Sequence, residues 1–248
     1  MLAIYKKEMR SYFVNPVGYV FSGMFLVFSA ILCCYTTLLS RSYDTSLYFM
    51  LMIFALVVLI PILTMRLFSE EKKMRTEQLL LTAPVTITGM VMGKFCAALT
   101  MFVGCLTVSC VNLIPLYVVA AIERGNLGHD TVNIGPVNAQ VIGCLIALLL
   151  IGAAFIAIGT FISSLTENQL AAAIITIAVL VGLIGIGAFS TLIDVYAIRM
   201  VLGWISVLGR FNNFSVGIFD IGAVVYFVSL IFLSLFLTVR AYEKRRWS

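Results

Sequence analysis

The stretch "TMRLFSEEKKMRTEQLLLTAPVTITGMVMGKF", residues 64–95, decides the fold of this chain. It contains eight charged side chains, although only 11% of the 248 residues are charged. Long uncharged apolar runs lie before it and after it. A charged segment in this position is typical of a connection that leaves a membrane and returns to it on the same side.

The composition of the whole chain is that of a membrane protein. It is 62% hydrophobic, with a mean hydropathy of +1.12, whereas about 25% of the residues in an ordinary soluble domain are charged. A helix needs about 20 apolar residues to cross a bilayer core. Six uncharged runs come close to or exceed that length, and they predict spans at 17–39, 47–65, 95–122, 137–165, 170–193 and 221–239. The runs do not alternate apolar and polar residues as a transmembrane barrel would, so we predict one all-α integral membrane domain over 1–248.

The basic residues predict the orientation. Twelve of the sixteen lie in the N-terminal segment, in the 64–95 connection and in the C-terminal tail. Because basic residues concentrate on the cytoplasmic side, we expect a multi-pass protein of the cell membrane with both termini in the cytoplasm. The net charge of +5 then belongs to a rim beside anionic lipid. No basic patch interleaved with aromatic residues indicates nucleic-acid binding.

Residues 1–16 predict an amphipathic helix that lies on the membrane surface. One face would carry an apolar stripe made of Leu2, Tyr5, Met9, Tyr12 and Phe13. The other face would carry three membrane-interface residues that meet phosphate headgroups, namely Lys6, Lys7 and Arg10. Asn15 and Pro16 should end this helix before the first span.

Residues 66–94 predict a cytoplasmic hairpin of two helices. The second span should continue as a helix, supported by the i,i+4 pairs Glu71/Arg75 and Lys73/Glu77, with Lys72 exposed. Pro84 should break it. Thr86 can then cap the helix that leads into the third span. A solvated connector that contacts nothing is the alternative interpretation of this segment.

The sequence offers no catalytic, cofactor or metal site. "GMVMGKF" has three residues between its glycines and Phe after Lys, whereas a phosphate-binding loop needs four and Ser or Thr. No Ser-His-Asp set is apparent, and the one histidine, His129, lies in a polar loop. The six cysteines lie within predicted spans and are interpreted as small packing residues. We therefore expect the chain not to be an enzyme by itself.

Three segments carry a resemblance to a known family. They are "PILTMRLFSEEKKMRTEQLLLTAPVTITGMVMGKF", "YFVNPVGYVF" near the start, and "RFNNFSVGIFDIGAVVYFVSLIFLSLFLTVRAYEKRRW" at the end. In this order they resemble ABC transporter permeases of type 2, in particular the gliding-motility-like bacterial branch. The resemblance covers nearly the whole chain.

The resemblance implies a six-span half of an ATP-driven pump, favouring export. Such permeases pair with a second permease copy or a related permease and with separate ATP-binding subunits, which hold the ATP and Mg²⁺. An auxiliary protein with an extracytoplasmic domain joins some of them. The hairpin would dock on the ATPase through Glu77, Leu80, Leu81, Thr82, Pro84 and Val85. A re-entrant outer element near 200–208 would precede span six.

Two other classes of function stay open on the residues alone. A secondary transporter would carry charges near the bilayer midplane, and none lies inside the six runs. A membrane scaffold would have no ATPase partner. Polar candidates for a substrate path are Asn112, Asn138 and Gln140, although hydrogen bonds between helices explain them equally well. The residues do not choose among lipid, peptide, polysaccharide and drug as the substrate.

Overall fold

The computed structural model describes residues 1–40, 42–74, 86–127, 135–190 and 196–247, nearly all of them helical. The α-helices, numbered in chain order, are α1 (Leu2–Val14), α2 (Pro16–Cys33), α3 (Ser46–Thr64), α4 (Arg66–Lys73), α5 (Ile87–Ser109), α6 (Ile114–Leu127), α7 (Asn138–Leu165), α8 (Gln169–Ser190), α9 (Tyr196–Ile205), α10 (Val207–Ser215) and α11 (Ile221–Trp247). A π-helical segment, Cys34–Leu39, extends α2. A 3-10 segment, Cys110–Leu113, joins α5 to α6.

Six helical segments are long and apolar enough to cross a membrane. They are Pro16–Leu39, Ser46–Lys73, Ile87–Arg124, Asn138–Leu165, Gln169–Gly187 and Ile221–Lys244. The described residues contain no strand, so the all-α membrane fold with six spanning helices is confirmed. The third helical segment differs most from the predicted span, because it begins at Ile87 rather than Phe95. The helix begins at the Thr86 cap and continues directly into the apolar run.

Helix α1 packs against the bundle as well as presenting a charged face. It contacts α5 and α2, and the Tyr12 hydroxyl donates a 3.2 Å hydrogen bond to the carbonyl oxygen of Leu63. Gly93 on α5 allows this approach, because a Cβ there would lie 3.2 Å from the carbonyl oxygen of Met1. The buried side chains of α1 are Ile4 and Tyr12. Of the predicted apolar stripe, Leu2 and Phe13 are instead exposed.

The second span continues into the charged segment, as the sequence predicts, at least as far as Lys73. Met65 keeps a helical backbone conformation, and its N–H bonds the carbonyl oxygen of Pro61, so α4 follows α3 without a turn. On the far side, the Thr86 side chain accepts a 3.2 Å hydrogen bond from the N–H of Gly89 and caps α5. The predicted cap is confirmed. The tip of the predicted hairpin, 75–85, lies outside the described residues.

Helix α7 is the central helix of the bundle. It contacts α3, α4, α5, α8, α10 and α11, and Ile151, Phe155 and Ile156 have no exposed surface. Gly159 lets α3 approach closely, since a Cβ there would lie 2.3 Å from the Thr64 hydroxyl oxygen. A helix that is apolar on all sides is typical of a buried position in a bundle. Helix α7 therefore connects α4 with most of the bundle.

The segment before the last span forms two short helices, α9 and α10. The chain turns at Ser206, whose hydroxyl accepts a 3.0 Å hydrogen bond from the N–H of Gly209 and caps α10. Both helices contact α8, and α10 also contacts α7. The Met200–Leu208 run that the sequence singles out thus spans the end of one helix and the start of the next. Its re-entry into the membrane stays a prediction.

Candidate functional site at the base of the charged connection

A group of charged side chains around the buried Lys94 joins α1, α4 and α5 where the charged connection leaves the bundle. We call Lys7, Glu8, Glu71 and Lys94 the root cluster. The Lys94 side chain is 1% exposed, and its Nζ lies 3.0 Å from Oε1 of Glu8 and 2.9 Å from Oε2 of Glu71. These contacts link three helices that are distant in sequence.

The ammonium of Lys94 is fully engaged. Besides the two carboxylates, its Nζ donates a 2.5 Å hydrogen bond to the carbonyl oxygen of Leu67. It also lies 5.0 Å from the centroid of the Phe68 ring, within the range of a cation–π contact. A lysine has three N–H donors, and here each has an acceptor. Such complete pairing is what allows a charge to be buried in an apolar surrounding.

Lys7 balances the charge of the root cluster. Its Nζ lies 2.9 Å from Oε1 of Glu71 and 3.9 Å from Oε1 of Glu8, so two cations face two carboxylates. Burial lowers the pKa of Lys7, but the hydrogen bond from Lys7 to Glu71 and the charge of Glu71 outweigh it and raise the pKa overall. Lys7 therefore stays charged at neutral pH. The sequence assigned this side chain to lipid headgroups, whereas in the structure its closest partner is Glu71.

Lys72 fixes α4 to the end of the central helix. Its Nζ donates to the carbonyl oxygen of Ser164, in the last turn of α7, and lies 5.7 Å from the centroid of the Tyr242 ring on α11. Lys72 is only 7% exposed, so the expectation of an exposed Lys72 was wrong. The physical reason is that the last carbonyls of a helix lack intrahelical partners and attract a cation.

A serine completes the contact between α4 and α7. The Ser163 hydroxyl accepts hydrogen bonds from the N–H groups of Phe68, at 3.2 Å, and Ser69, at 3.3 Å. It donates a 3.2 Å hydrogen bond to the carbonyl oxygen of Met65. The hydroxyl thus accepts from two backbone N–H groups in the first turn of α4, where N–H groups commonly need partners from outside the helix. Contacts therefore hold α4 on two sides, with the charged root cluster on one side and α7 on the other.

A polar cleft of about 170 Å³ opens beside the root cluster, between α1 and α4. Arg66 and Glu70 lie on its wall, and their side chains form a two-point ion pair with N–O distances of 2.9 and 2.5 Å. The other lining side chains include Ser11 and Met74. Within the part of the chain that the structure describes, no three His, Cys, Asp or Glu side chains come together as metal ligands. The arrangement is therefore suited to holding helices together.

The predicted ATPase-coupling residues cannot be compared with this geometry directly. Glu77, Leu80, Leu81, Thr82, Pro84 and Val85 all lie outside the described residues. Glu71 and Lys72 lie on α4, which leads into that segment, and Lys94 lies on α5, which leads out of it. The predicted membrane-interface residues Lys6, Lys7 and Arg10 are all exposed on α1, and their contact with lipid stays a prediction.

The three path candidates lie at different places in the bundle. Asn112 donates a 2.9 Å hydrogen bond to the Ser29 hydroxyl on α2. Asn138 accepts a 3.0 Å hydrogen bond from the Tyr117 hydroxyl. Gln140 donates to Asp44 Oδ1 at 2.7 Å and to the Ser46 hydroxyl at 2.5 Å. All three make hydrogen bonds between segments, and their role in a path stays a prediction.

The sequence analysis missed the root cluster, although one signal for it was present. Lys94 is the single charge in the 23 residues of α5, and an isolated charge in an apolar helix needs a partner. Glu8 is likewise the single acidic residue of α1. Pairing these two residues from the sequence alone would have required knowing that α1 packs against α5.

Comparison with known proteins identifies the family. The family described as "ABC-2 family transporter protein" matches residues 13–185, which include four of the six candidate spans, nearly all of a fifth and the charged connection. No curated protein matches the chain. The match covers more than half of the sequence and agrees with the six spanning helices. The chain belongs to the ABC-2 family of transporter membrane proteins.

Proposed function

We propose that this permease is half of the membrane part of an ATP-driven exporter and that its 75–85 segment docks on a separate ATP-binding subunit. The single observation that supports this most is that two separate sets of contacts hold the base of the connection. Lys94 ties α5 to α1 and α4, and Lys72 ties α4 to the end of α7. A connector with no mechanical role would need neither contact.

The contacts suggest how a movement would pass into the membrane. A force on the segment between Met74 and Thr86 would act on α4 and α5 together, because the root cluster joins them. From α4 it would pass through Ser163 and Lys72 to the central helix α7, which contacts most of the bundle. Salt bridges and backbone hydrogen bonds around a buried charge resist separation, so the base would move as a unit.

The proposed assembly contains more than this chain. The partner subunits would hold the ATP and Mg²⁺, so this chain would not be an enzyme by itself. A second permease copy or a related permease would complete the translocation path, and an auxiliary extracytoplasmic protein is a further candidate partner. We place the protein in the bacterial cell membrane, with both termini and the charged connection in the cytoplasm, on the distribution of basic residues.

The decisive experiment removes the proposed apolar contact of the hairpin tip. Changing Leu80 and Leu81 together to Ala should lower retention of the ATPase during co-purification, by the roughly 2 kcal/mol or more typical of buried positions in an interface. Substrate-dependent ATP hydrolysis of the reconstituted complex should fall with it. Lys73→Glu is the matched control, because Lys73 is exposed at the end of α4 and rim charges contribute little.

Three results would contradict the proposal. Wild-type retention and ATP hydrolysis in a normally folded Leu80/Leu81 variant would mean that the segment is only a connector. Transport by the isolated chain in an ion gradient without ATP would favour a secondary transporter instead. Purification that never yields an ATPase, with no transport at all, would favour a membrane scaffold.

A further inference from the structure

A long apolar groove runs between α5 and α11 on the outside of the bundle. Its volume is about 550 Å³. The side chains that line its length are Met92, Phe95, Val228, Ile231, Phe232 and Leu235. Phe232 is 71% exposed and Met92 is 38% exposed. Both helices belong to candidate spans, so the open side of the groove faces the membrane.

The side chains of the groove are unlike those of a helix-packing surface. Transmembrane helices that pack together use small residues, because these let the backbones approach. The groove is instead walled by phenylalanine, methionine and branched aliphatic residues. A helix of a second copy would meet protruding rings here. By contrast, Gly182 on α8 is a small residue with open space beside it, because a Cβ there would meet nothing within 4 Å.

One end of the groove is charged. Arg240, Glu243 and Thr88 line it, and Nη1 of Arg240 lies 2.8 Å from Oε2 of Glu243. The Arg240 side chain is 64% exposed, and its guanidinium carbon lies 5.2 Å from the centroid of the Phe236 ring. Lys244, one turn further along α11, is also exposed. The described side chains at this end thus carry two positive charges and one negative charge.

The length of the groove matches one leaflet of a bilayer. From Val228 to Arg240 a helix rises about 18 Å at 1.5 Å per residue. The hydrocarbon core is about 30 Å thick, so one leaflet contributes about 15 Å. An acyl chain that lies along the groove would therefore bring its headgroup to the level of Arg240.

We propose that the groove is a binding site for an anionic glycerophospholipid, with one acyl chain between α5 and α11 and the phosphate at Arg240. A guanidinium has five N–H donors in a fork that suits phosphate, and the contact with Glu243 leaves most of them available. Lys244 adds a second cation at the headgroup level. The lipid would join α5, which begins at the charged connection, to α11 in the last span.

The experiment measures which lipids remain bound to the purified full chain. The protein is reconstituted in nanodiscs of equal parts phosphatidylglycerol and phosphatidylethanolamine, then released and weighed by native mass spectrometry. We expect retained phosphatidylglycerol on the wild type. Arg240→Gln should reduce its retention about fivefold, the effect of one basic residue at an anionic surface. Lys73→Gln, an exposed charge removed elsewhere, should not reduce it.

A second pair of variants tests the acyl-chain part of the site. Val239 also lines the groove, so Val239→Trp should fill it and remove the retained lipid. Ile174→Trp, on an exposed face of α8, should leave the lipid bound. Equal retention of both lipids by the wild type, or wild-type retention in both Arg240→Gln and Val239→Trp, would overturn the proposal. Loss of a dimer rather than of lipid in Val239→Trp would overturn it too, because the occupant would then be a second copy.

Discussion

Replacing Lys94 by methionine should test the root cluster most directly. Methionine has nearly the same length and removes only the ammonium. Glu8 and Glu71 would then lose a partner at 3.0 and 2.9 Å while they are 12% and 14% exposed. Lys7 could still pair with Glu71 at 2.9 Å, but Glu8 would be left with a contact of 3.9 Å.

The expected loss of stability follows from this geometry. Removing one partner of a buried ion pair typically costs about 3–5 kcal/mol, because the other charge stays buried without compensation. Lys7 and partial exposure of the carboxylates reduce that cost, so we expect Lys94→Met to lower the free energy of unfolding by about 3 kcal/mol. In the double variant Lys94→Met/Glu8→Gln, the most isolated carboxylate is also neutral. We expect it to recover about 1–2 kcal/mol.

The assay is denaturant unfolding in mixed lipid–detergent micelles, followed by far-ultraviolet circular dichroism. Lys6→Met is the matched control, because Lys6 is exposed on α1; its change should stay within about 0.5 kcal/mol. The reasoning is refuted if Lys94→Met is as stable as Lys6→Met, or if the double variant is no more stable than Lys94→Met. Either result would mean that the pairing of Lys94 contributes nothing to the fold.

Three further predictions concern other parts of the chain. Lys72→Met should lower the free energy of unfolding by about 2 kcal/mol, since it removes a charged hydrogen bond to the end of a helix. The measurement is thermal unfolding, and a variant that unfolds as the wild type does would contradict the capping role. In a cysteine-free background, a cysteine at exposed Val137 should react with an impermeant thiol reagent outside intact cells, and a cysteine at Lys73 should not. The reverse labelling would contradict the orientation with the charged connection in the cytoplasm. The backbone hydrogen bond from Ser46 holds the pKa of Asp44 below its ordinary value, so its carboxylate stabilises the fold above that ordinary value and the contribution is lost as the pH falls below it. Asp44→Asn should show a smaller loss of unfolding free energy over that range, and an unchanged pH profile would contradict this.

The amino-acid sequence was sufficient for features that depend on local chemistry. Six apolar runs predicted six spanning helices, because crossing a bilayer requires each segment to satisfy its own backbone hydrogen bonds. The hydroxyl of Thr86 predicted the start of α5, since an N-cap needs only residues within one turn. The same local reasoning predicted that α3 would continue into α4. The family resemblance rested on ordered motifs that are likewise read along the chain.

The sequence was insufficient wherever a side chain's environment comes from another helix. Lys72 was expected in solvent because its own helix is polar, yet the end of α7 and Tyr242 bury it. The local pattern of α1 likewise did not predict that Lys7 pairs with Glu71 on α4. In both cases a helix distant in sequence supplies a partner that the local pattern does not show.

The sequence by itself determined that this protein is a six-helix membrane permease with its charges concentrated at one side of the bundle. Only the tertiary structure decided which charges are buried and what they hold together. Lys94 meets Glu8 and Glu71 because Gly93 lets α1 lie against α5 and because α4 runs on from α3. The physical reason is that apolar length and helix capping act within a few residues. A buried charge, in contrast, must find its partner in space, and here that partner lies 86 positions away in the chain.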